Sequence, residues 1–566
     1  MPFALALIVY WPGLLAWFQQ DDFAFPALFG MHALPYRVLA FLTQFGCLIL
    51  LASVARRVTG SRAAGTLAAV FWTLNSGLVL PMTRTSAYKQ ILCTFFLLLA
   101  FHFLLRRLET GDRRWMGAEW LAFAAGLASL GIMAVYPAIA AVYTGLRARK
   151  QFASTIPMLG VSAACTLAYY LARPLGELHF DASILAAFRA YWSMALGPAG
   201  LAAHFETFPG WIGQAGTILL SLSLPGIAAW GVLRCKWAGL FGLAWFALAL
   251  APVLPLRYHV SSYYLTAPSV GLALTLAWGV VEAWKQRGWR PVAASVAAVY
   301  MAAGAVGGSL GSRTVAEESW RIRDAVVGAA RARAMFPNKT IVLAGIDDRL
   351  FWTGIVYDPF RRMGLSGVFL EPGTEQRIKA HPELGRVSDF VIPADKLKAA
   401  LEKQEAVVYA VEPGRLRGQT VAYTIKAREE WRVEEPSRVD VGDQALAGQL
   451  GPSWSIIEGG HRWMPRTATV RLRGPRTSGE KIYISGWCPP QQIEKGPLRL
   501  RVTVAGKPLP PIVLRADKDF QAALPLPSAL AGAPSVDVVI EVDRTFRVPG
   551  DLRDLGLVFG TFEIRP

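Results

Sequence analysis

Long apolar runs alternate with short polar loops up to about residue 311, and the alternation stops beyond that point. Because about 20 apolar residues cross a bilayer as a helix, these runs predict membrane spans. The predicted spans are 3–18, 34–55, 63–82, 88–105, 118–132, 134–146, 153–172, 212–233, 237–256, 262–281 and 291–311. The fifth and sixth runs are short and meet near Pro137, so they are either two crossings or one re-entrant element. The pattern predicts an α-helical polytopic membrane domain over residues 1–311.

From residue 312 the chain changes to amphipathic patterns without long apolar runs. An amphipathic helix is predicted over 314–336. Segments typical of strands and helices then alternate, with strands at 341–343, 367–370 and 406–411 and helices at 350–363 and 394–403. This alternation predicts a small α/β domain at 312–440.

From about residue 445 the pattern changes again, to short alternating strands with turn residues between them. The predicted strands are 467–472, 481–486, 498–504, 512–514, 536–542 and 557–564. Several short strands at such spacing are typical of an antiparallel sandwich. We therefore expect a β-sandwich at 445–566.

The basic residues predict how the spans are oriented. Of the net charge of +18, residues 1–311 carry +12, from 21 Lys and Arg against 9 Asp and Glu. Most of these cations follow every second predicted span, and cation-rich loops face the cytoplasm. The chain is thus predicted to be a multi-pass protein of the inner (plasma) membrane, with a cytoplasmic N-terminus and extracytoplasmic C-terminal domains.

Composition excludes several classes of function. A hydrophobic content of 53% and a mean hydropathy of +0.35 are unusual for a soluble protein. The basic excess is explained by topology, so no nucleic-acid partner is expected, whereas membrane lipids are. The five cysteines show no metal-ligand spacing, and we predict no dedicated metal site.

Two adjacent carboxylates, Asp21 and Asp22, follow directly on the first predicted span. An acid at the edge of a bilayer is costly unless it is paired, hydrated or used in function. Spacing alone leaves two interpretations, a solvated loop that ends the span and a functional pair.

The predicted outer loops hold further charged side chains. Arg84 and Lys89 follow the third span, and the loop at 256–259 follows the ninth. The long loop at 173–211 carries Arg173, Glu177, His179 and Asp181, the last three of which are candidates for an acceptor-binding loop. For each of these residues the alternative is a solvated or lipid-headgroup contact.

These motifs resemble those of the GT-C glycosyltransferases, membrane enzymes with many spans and long outer loops. Asp21-Asp22-Phe23 resembles the Asp-Asp motif in the first outer loop of that class. Arg257-Tyr258 and the stretch 264–271 resemble the "RY-YLP-SVG" motif of the O-mannosyltransferase-like subfamily, although residues 259–263 stretch the pattern here. The region 81–92 also resembles the family. The predicted sandwich at 445–566, with the stretch 551–556 before its last strand, is similar to jelly-roll modules found beside glycosyltransferases.

The resemblance implies transfer of a sugar from a polyprenyl-phosphate donor to an extracytoplasmic glycan, lipid or protein acceptor, with inversion. Asp21 or Asp22 would be the general base. Positive charge would stabilise the leaving phosphate, with Arg257 and Tyr258 favoured, and with Arg84, Lys89 and Arg173 as further candidates. No cofactor is required by this chemistry, and a divalent metal is not excluded.

Two other interpretations remain open at this stage. The chain could be a non-catalytic scaffold or transport partner in cell-envelope polysaccharide assembly, although no internal repeat typical of transporters is evident. In the sandwich, Trp454, His461, Trp463 and Trp487 could stack against sugars, but packing in the core is the favoured use of the tryptophans.

Overall fold

The structure is a computed structural model that describes all residues except 25–27, 173–179, 204, 206–208, 257–258, 382–383, 431–434, 549–550 and 552. The chain divides into two compact units, 1–420 and 421–566. The first contains the apolar helices together with a small mixed sheet, and the second is built of strands. The predicted order of a helical membrane part, an α/β segment and a β-sandwich is confirmed.

Helices form the whole of the described chain up to residue 335 apart from turns and short loops. They are α1 (Pro2–Leu15), α2 (Ala33–Thr59), α3 (Arg62–Thr73), α4 (Val79–Thr83), α5 (Tyr88–Thr110), α6 (Arg114–Ser129), α7 (Tyr136–Arg147), α8 (Ile156–Ala172), α9 (Ser183–Leu196), α10 (Gly210–Leu233), α11 (Ala238–Leu250), α12 (Ser269–Trp284) and α13 (Arg290–Met335). Each predicted span falls on a helix, whereas α9 lies in a segment that was predicted as a loop.

Five stretches of helix in the described chain are long and apolar enough to cross a membrane, at Ala33–Thr59, Tyr88–Thr110, Arg149–Ala168, Gly210–Leu233 and Arg287–Met335. Helices α3 and α4 would make a sixth span with a 58° bend between them. Helices α1 and α12 and the segment Ala238–Val253 are apolar but shorter. The protein is therefore a multi-pass membrane protein, and the count of eleven crossings stays a prediction.

The bend between α3 and α4 is stabilised by a buried polar side chain. Asn75 caps the turn after α3 and donates through Nδ2 to the Ala195 carbonyl and to the Tyr300 hydroxyl, both at 2.9 Å. The Tyr10 hydroxyl donates to the Asn75 carbonyl at 3.1 Å. Peptide groups freed by a helix break need such partners inside an apolar core, so the bend is a built feature.

The last apolar run and the amphipathic helix predicted after it are one helix of 46 residues, α13. The sequence predicted these two segments separately, at 291–311 and 314–336, and the structure joins them without interruption. Glycines in α13 allow close packing, because a Cβ at Gly304 would lie 1.7 Å from the Leu74 carbonyl oxygen and one at Gly308 2.8 Å from Val9.

A small mixed sheet follows α13 within the first unit. Its elements are β1 (Thr340–Ala344), α14 (Asp348–Thr353), α15 (Pro359–Arg362), β2 (Val368–Leu370), α16 (Thr374–Arg377), α17 (Ala394–Glu402), β3 (Ala406–Glu412) and β4 (Arg415–Gly418). The strand order is β2-β1-β3-β4, with β4 antiparallel to β3 and the others parallel. The single helix predicted at 350–363 is broken, because Gly354 ends α14 and Pro359 begins α15.

The core beneath this sheet includes residues from the first helical turns of the chain. Phe18, Phe23 and Tyr36 are buried in one cluster with side chains of α13 and of the sheet, such as Val326 and Ile341. The segment between α1 and α2 is thus held by the α/β part as well as by the membrane helices. A division of the first 440 residues into two domains stays a prediction.

The second unit is an antiparallel β-sandwich, as predicted. Helix α18 (Thr420–Glu430) precedes its strands, which are β5 (Arg438–Asp440), β6 (Arg462–Trp463), β7 (Thr467–Arg473), β8 (Lys481–Trp487), β9 (Leu498–Val504), β10 (Lys507–Pro508), β11 (Ile512–Leu514), β12 (Asp519–Pro525), β13 (Ser535–Val542) and β14 (Val558–Arg565), with α19 (Pro490–Ile493) between β8 and β9. One sheet has the order β10-β9-β13-β7 and the other β12-β8-β14-β5. Both contribute to one buried core.

The tryptophans of the sandwich differ in their use. Trp454 packs against Phe559 and Phe562 at the core and donates to the Thr469 carbonyl at 2.8 Å, so its packing role is confirmed. Trp463 and Trp487 contact each other edge to face, and Trp487 is partly exposed. Glycan binding by this pair stays a prediction.

Candidate active site

A single turn of 3-10 helix, Gln20–Ala24, carries the acidic pair. The chain that enters it is tied to α13, since the Trp17 amide donates to Ser319 Oγ and the Trp320 indole donates to the Leu15 carbonyl, both at 2.8 Å. Gln20 has a φ of +51°, a conformation uncommon for a residue other than glycine. Such strain clusters at functional sites, where the surrounding structure fixes it.

The two carboxylates of the pair point to different environments. Because successive residues of a 3-10 helix are a third of a turn apart, Asp21 and Asp22 cannot both face the same side. The Asp21 side chain is 52% exposed, and the Asp22 side chain is completely buried. The pair therefore does not act as two equivalent groups.

Asp22 is held by three groups. Its Oδ1 accepts a hydrogen bond from the Ser86 amide at 2.7 Å, and its Oδ2 lies 3.4 Å from the Gln19 amide and 3.4 Å from Arg37 Nη2. The Arg37 guanidinium is buried as well and also donates to the carbonyls of Ala16 and Trp17. A buried charge persists only when it is paired and hydrogen-bonded. Asp22 thus joins the 3-10 turn to α2 and to the loop after α4.

Asp21 lies instead on the wall of a cavity of 320 Å³, at the end of α1. The cavity is lined by Gln20, Asp21, Arg84, Ser86, Ala87, Lys89, His259, Val260, Ser261, Tyr263 and Tyr357. It brings together the 3-10 turn, the loop between α4 and α5, the first turn of α5, the segment before α12 and one residue that follows α14. Three of the predicted site residues, Asp21, Arg84 and Lys89, meet here.

Asp21 and Arg84 form an ion pair inside this cavity. Arg84 Nη2 lies 2.5 Å from Asp21 Oδ1, and Asp21 Oδ2 makes no hydrogen bond to any residue that the structure describes. The Arg84 Nε is buried and has no hydrogen-bond acceptor among the described residues. Both members of the pair therefore keep hydrogen-bonding capacity that the protein does not use.

Aromatic residues form another wall of the cavity. The His259 Nε2 and the Tyr263 hydroxyl are 2.7 Å apart, and the Tyr263 and Tyr264 rings have centroids 4.5 Å apart. The Tyr191 hydroxyl accepts a hydrogen bond from the Ser261 amide at 3.3 Å, which ties this wall to α9. The stretch 259–263, which interrupts the family-like motif in the sequence, thus lines the cavity.

Tyr357, in a short 3-10 turn between α14 and α15, also lines the cavity. Burial raises the pKa of the Tyr357 phenol, the negative charge of Asp21 raises it further, and the Arg84 guanidinium acts in the opposite direction. The phenol is therefore close enough to the ion pair to respond to both charges.

The structure does not test five other predicted site residues. Arg173, Glu177, His179, Arg257 and Tyr258 lie outside the described residues. Their roles stay predictions.

Asp181 is described, and its carboxylate accepts a hydrogen bond from the Ser183 amide at 2.7 Å at the start of α9. It lines a second cavity, of 590 Å³, whose walls are mainly alanines of α9 and which shares Val260 with the first cavity. Among the described residues, no group of three or more His, Cys, Asp or Glu is arranged to hold a metal ion. A requirement for a metal stays untested.

Four residues of the site were not identified from the sequence. Arg37 is an isolated cation within the second predicted span, and a charge at that position is a signal for a buried partner. His259 and Tyr263 were noticed only as an interruption of a motif. Tyr357 carries no signal in the sequence, because only the fold brings it to Asp21.

No protein-family model and no curated protein matches the sequence. Among solved structures, the chain is similar to ArnT from Cupriavidus metallidurans bound to undecaprenyl phosphate, with 13% identity and a TM-score of 0.37 over 72% of this chain and 92% of that one. It is also similar to the oligosaccharyltransferase of Archaeoglobus fulgidus in its apo form, with 9% identity and a TM-score of 0.37 over 99% and 92% of the two chains.

A structure of the archaeal oligosaccharyltransferase AglB from Archaeoglobus fulgidus, in complex with an inhibitory peptide and a dolichol-phosphate, matches with 9% identity and a TM-score of 0.34 over 98% of this chain and 93% of that one. At such identities and TM-scores, these similarities do not carry an activity or a ligand over to this chain.

Proposed function

We propose that this protein is a membrane glycosyltransferase that transfers a sugar from a polyprenyl-phosphate donor to an extracytoplasmic acceptor with inversion. The observation that carries the proposal is the Asp21–Arg84 pair on the wall of a 320 Å³ cavity at the end of a membrane helix. A carboxylate and cationic groups in one cavity are the two kinds of group that this reaction needs. The family-like motif around Asp21 supports the same assignment.

The reaction would proceed by one displacement at the anomeric carbon of the donor sugar. The acceptor oxygen forms a bond to that carbon while the bond from carbon to the phosphate oxygen breaks, and the phosphate leaves with the bonding electron pair. The acceptor proton passes to the Asp21 carboxylate, whose Oδ2 makes no hydrogen bond to the described residues. Attack on the face opposite the leaving phosphate gives inversion.

Arg84 and Lys89 would stabilise the negative charge that develops on the leaving phosphate. Both line the cavity, and the Arg84 Nε has no acceptor among the described residues. Fixed positive charge acts strongly where water is partly excluded. Arg257, Tyr258 and Arg173 stay candidates for further phosphate contacts.

Asp22 is proposed as a positioning residue rather than the base. It is completely buried, and its hydrogen bond to the Ser86 amide fixes the loop that carries Arg84 and leads into α5, where Lys89 lies. Its contact with Arg37 neutralises a cation that would otherwise be buried alone. Of the two carboxylates, only Asp21 lines the cavity.

The remaining expectations belong to the same proposal. The cavity opens on the extracytoplasmic side if the N-terminus of α1 is cytoplasmic, as the distribution of basic residues predicts. The donor is then presented by the membrane and the acceptor by the outer compartment. No cofactor is required for the displacement, and a divalent metal would act only as additional positive charge.

The test compares Asp21→Asn with Asp22→Asn in the full chain in lipid nanodiscs. The parent is supplied with a panel of polyprenyl-phosphate-linked hexoses and pentoses and with sugar acceptors, and the anomeric configuration of the product is determined. Asp21→Asn removes the base and is expected to lower transfer by about 10²–10⁴-fold with an unchanged melting temperature. Asp22→Asn is expected to lower both transfer and the melting temperature, since it removes the negative charge beside the buried Arg37.

A parent chain without transfer on any donor would reject the enzymatic proposal in favour of a scaffold or transport role. Full activity of a well-folded Asp21→Asn variant would reject Asp21 as the base.

A further inference from the structure

One wall of the cavity is supplied by the α/β part of the first unit, through Tyr357. Every other lining residue lies in the 3-10 turn after α1, in the loop between α4 and α5, in the first turn of α5 or in the segment before α12. The ring of Tyr357 also packs against the core beneath the small sheet. This residue is therefore where the α/β part of the described chain reaches the candidate active site.

The position of Tyr357 relative to Asp21 is fixed by one arginine. Arg362, at the end of α15, donates from Nε to the Tyr357 carbonyl at 3.1 Å and from Nη1 to the Phe23 carbonyl at 3.4 Å. Phe23 belongs to the same 3-10 turn as Asp21. A planar guanidinium that bridges two carbonyls holds both backbones in one geometry. The turn that carries Asp21 and the turn that carries Tyr357 are thus linked through the hydrogen bonds of Arg362.

The backbone around Tyr357 is shaped for this contact. Asp358 has a φ of +52°, and its carboxylate accepts a hydrogen bond from the Arg361 amide at the start of α15. Pro359 then begins the helix. This conformation costs a residue other than glycine conformational free energy, which the surrounding contacts must offset.

The residues that line the cavity come from two parts of the first unit, and the two groups differ in charge. Arg84, Lys89 and His259 come from segments that adjoin the membrane helices, and they suit the phosphate of a lipid carrier. Tyr357 comes from the α/β part and has no charge at neutral pH. Asp21 is paired with Arg84 and is near enough to Tyr357 to affect the phenol. A lipid phosphate reaches the cavity from the membrane, which leaves the side of Tyr357 to the acceptor.

We propose that Tyr357 binds the acceptor and that the acceptor group it holds is a single saccharide unit at the end of a glycan. This inference rests on the proposed glycosyltransferase function and adds to it the acceptor half of the site. A tyrosine ring offers an apolar face to the carbon side of a sugar ring, and its hydroxyl can bond a sugar hydroxyl. The cavity is near the small end of the range for ligand pockets, which suits one or two sugar units.

The assay distinguishes contacts with the donor from contacts with the acceptor, because water and a saccharide can each accept the donor sugar. The full chain in nanodiscs receives a radiolabelled polyprenyl-phosphate sugar that the parent uses, with water alone or with a methyl glycoside as the saccharide acceptor. Both hydrolysis of the donor and transfer to the glycoside are measured. Loss of an acceptor contact changes the ratio of transfer to hydrolysis, whereas loss of a donor contact lowers both rates together.

Tyr357→Ala is expected to raise the KM for the methyl glycoside by about tenfold, with donor KM and hydrolysis near the parent values. Tyr357→Phe keeps the ring and removes one hydrogen bond, so a rise of about two- to tenfold in acceptor KM is expected. Arg362→Met is expected to act in the same direction as a positioning change. Tyr409→Phe is the matched control, because Tyr409 lies on β3 of the same sheet and does not line the cavity.

The failures of this inference and of the proposed function are distinguishable. A parent that neither hydrolyses nor transfers any donor sugar overturns both. A parent that transfers, with Tyr357→Ala and Tyr357→Phe leaving the acceptor KM and the ratio unchanged, overturns only the role of Tyr357. Equal loss of hydrolysis and transfer assigns Tyr357 to the donor and also overturns the inference. Selective use of a serine or threonine peptide instead of the glycoside overturns the saccharide assignment.

Discussion

Two arginine–carboxylate pairs in the helical unit have the same chemistry and very different surroundings. In the cavity, Arg84 contacts Asp21 at 2.5 Å, and the Asp21 side chain is 52% exposed. Between α5 and α6, Arg107 contacts Glu119 at 3.1 Å, and the Glu119 side chain is 1% exposed. The second Glu119 oxygen accepts a hydrogen bond from Tyr136 at 2.7 Å, and Arg107 also donates to Ser154 at 2.9 Å.

The difference is in how completely each pair is satisfied by the protein. Both oxygens of Glu119 have protein partners, as buried charge requires. Asp21 Oδ2 and Arg84 Nε have none among the described residues. A satisfied buried pair holds helices together, whereas a pair with unused donors and acceptors beside a cavity can bind a substrate. Asp21 and Asp22 differ in the same way, because both oxygens of Asp22 have protein partners whereas only one oxygen of Asp21 has one among the described residues.

Arg84→Gln is the sharpest way to break this comparison. The change removes the charge that faces the leaving phosphate, and loss of one such group typically costs about 10²–10³-fold in rate. Because Asp21 is half exposed, its charge remains hydrated, so the melting temperature should stay near that of the parent. Transfer from the lipid-linked sugar and thermal unfolding would be measured in the same nanodisc preparation.

Arg84→Lys is the matched control for charge, since it keeps the cation but loses the planar geometry, and an intermediate rate is expected. Parent-like transfer by Arg84→Gln would show that the pair is not part of the reaction.

Arg107→Gln should have the opposite signature. It leaves the buried Glu119 without its cation, and breaking a buried pair costs about 3–5 kcal/mol of stability. We expect a lower yield of folded protein and a lower melting temperature, with near-parental transfer per folded molecule. Fluorescence-detected gel filtration after heating would give the stability, and the nanodisc assay would give the specific activity. A stable variant with lost transfer would contradict the division into a structural pair and a functional pair.

The fold could be predicted from the sequence wherever the apolar residues followed one regular pattern, either a long run or a strict alternation. Each apolar run falls on a helix, and β9 was predicted with the observed bounds because Leu498, Leu500 and Val502 alternate with arginines. The predictions failed where tertiary contacts overrode local signals. The apolar run at 291–311 and the amphipathic helix at 314–336 were predicted separately, but in the structure α13 continues through both, and its glycines allow it to pack closely on α1 and on the bend after α3. Strand β12 was missed because alanines at 522 and 523 weaken its alternation.

The site could be predicted only in part, because a dipeptide does not reveal which of its side chains is buried. The sequence identified Asp21, Asp22, Arg84 and Lys89 as candidates on one predicted side of the membrane. It could not show that Asp22 is buried and bound by Arg37 and the Ser86 amide, since the direction of the Asp22 side chain depends on the 3-10 turn. Tyr357 lies more than 330 residues from Asp21 in the sequence, and no local pattern encodes that approach.

Asp112→Asn provides the smallest expected effect and fixes the baseline of the comparison. Asp112 and Arg114 form a third pair, at 2.7 Å, in which both side chains are substantially exposed (40% and 75%). An exposed ion pair contributes only about 0–1 kcal/mol, because water screens both charges. Transfer should equal that of the parent, and the melting temperature should shift little and less still in high salt. Because the substitution is chemically identical to Asp21→Asn, a large loss of transfer here would mean that removing any loop carboxylate impairs the protein, and the loss in Asp21→Asn could no longer be ascribed to proton transfer.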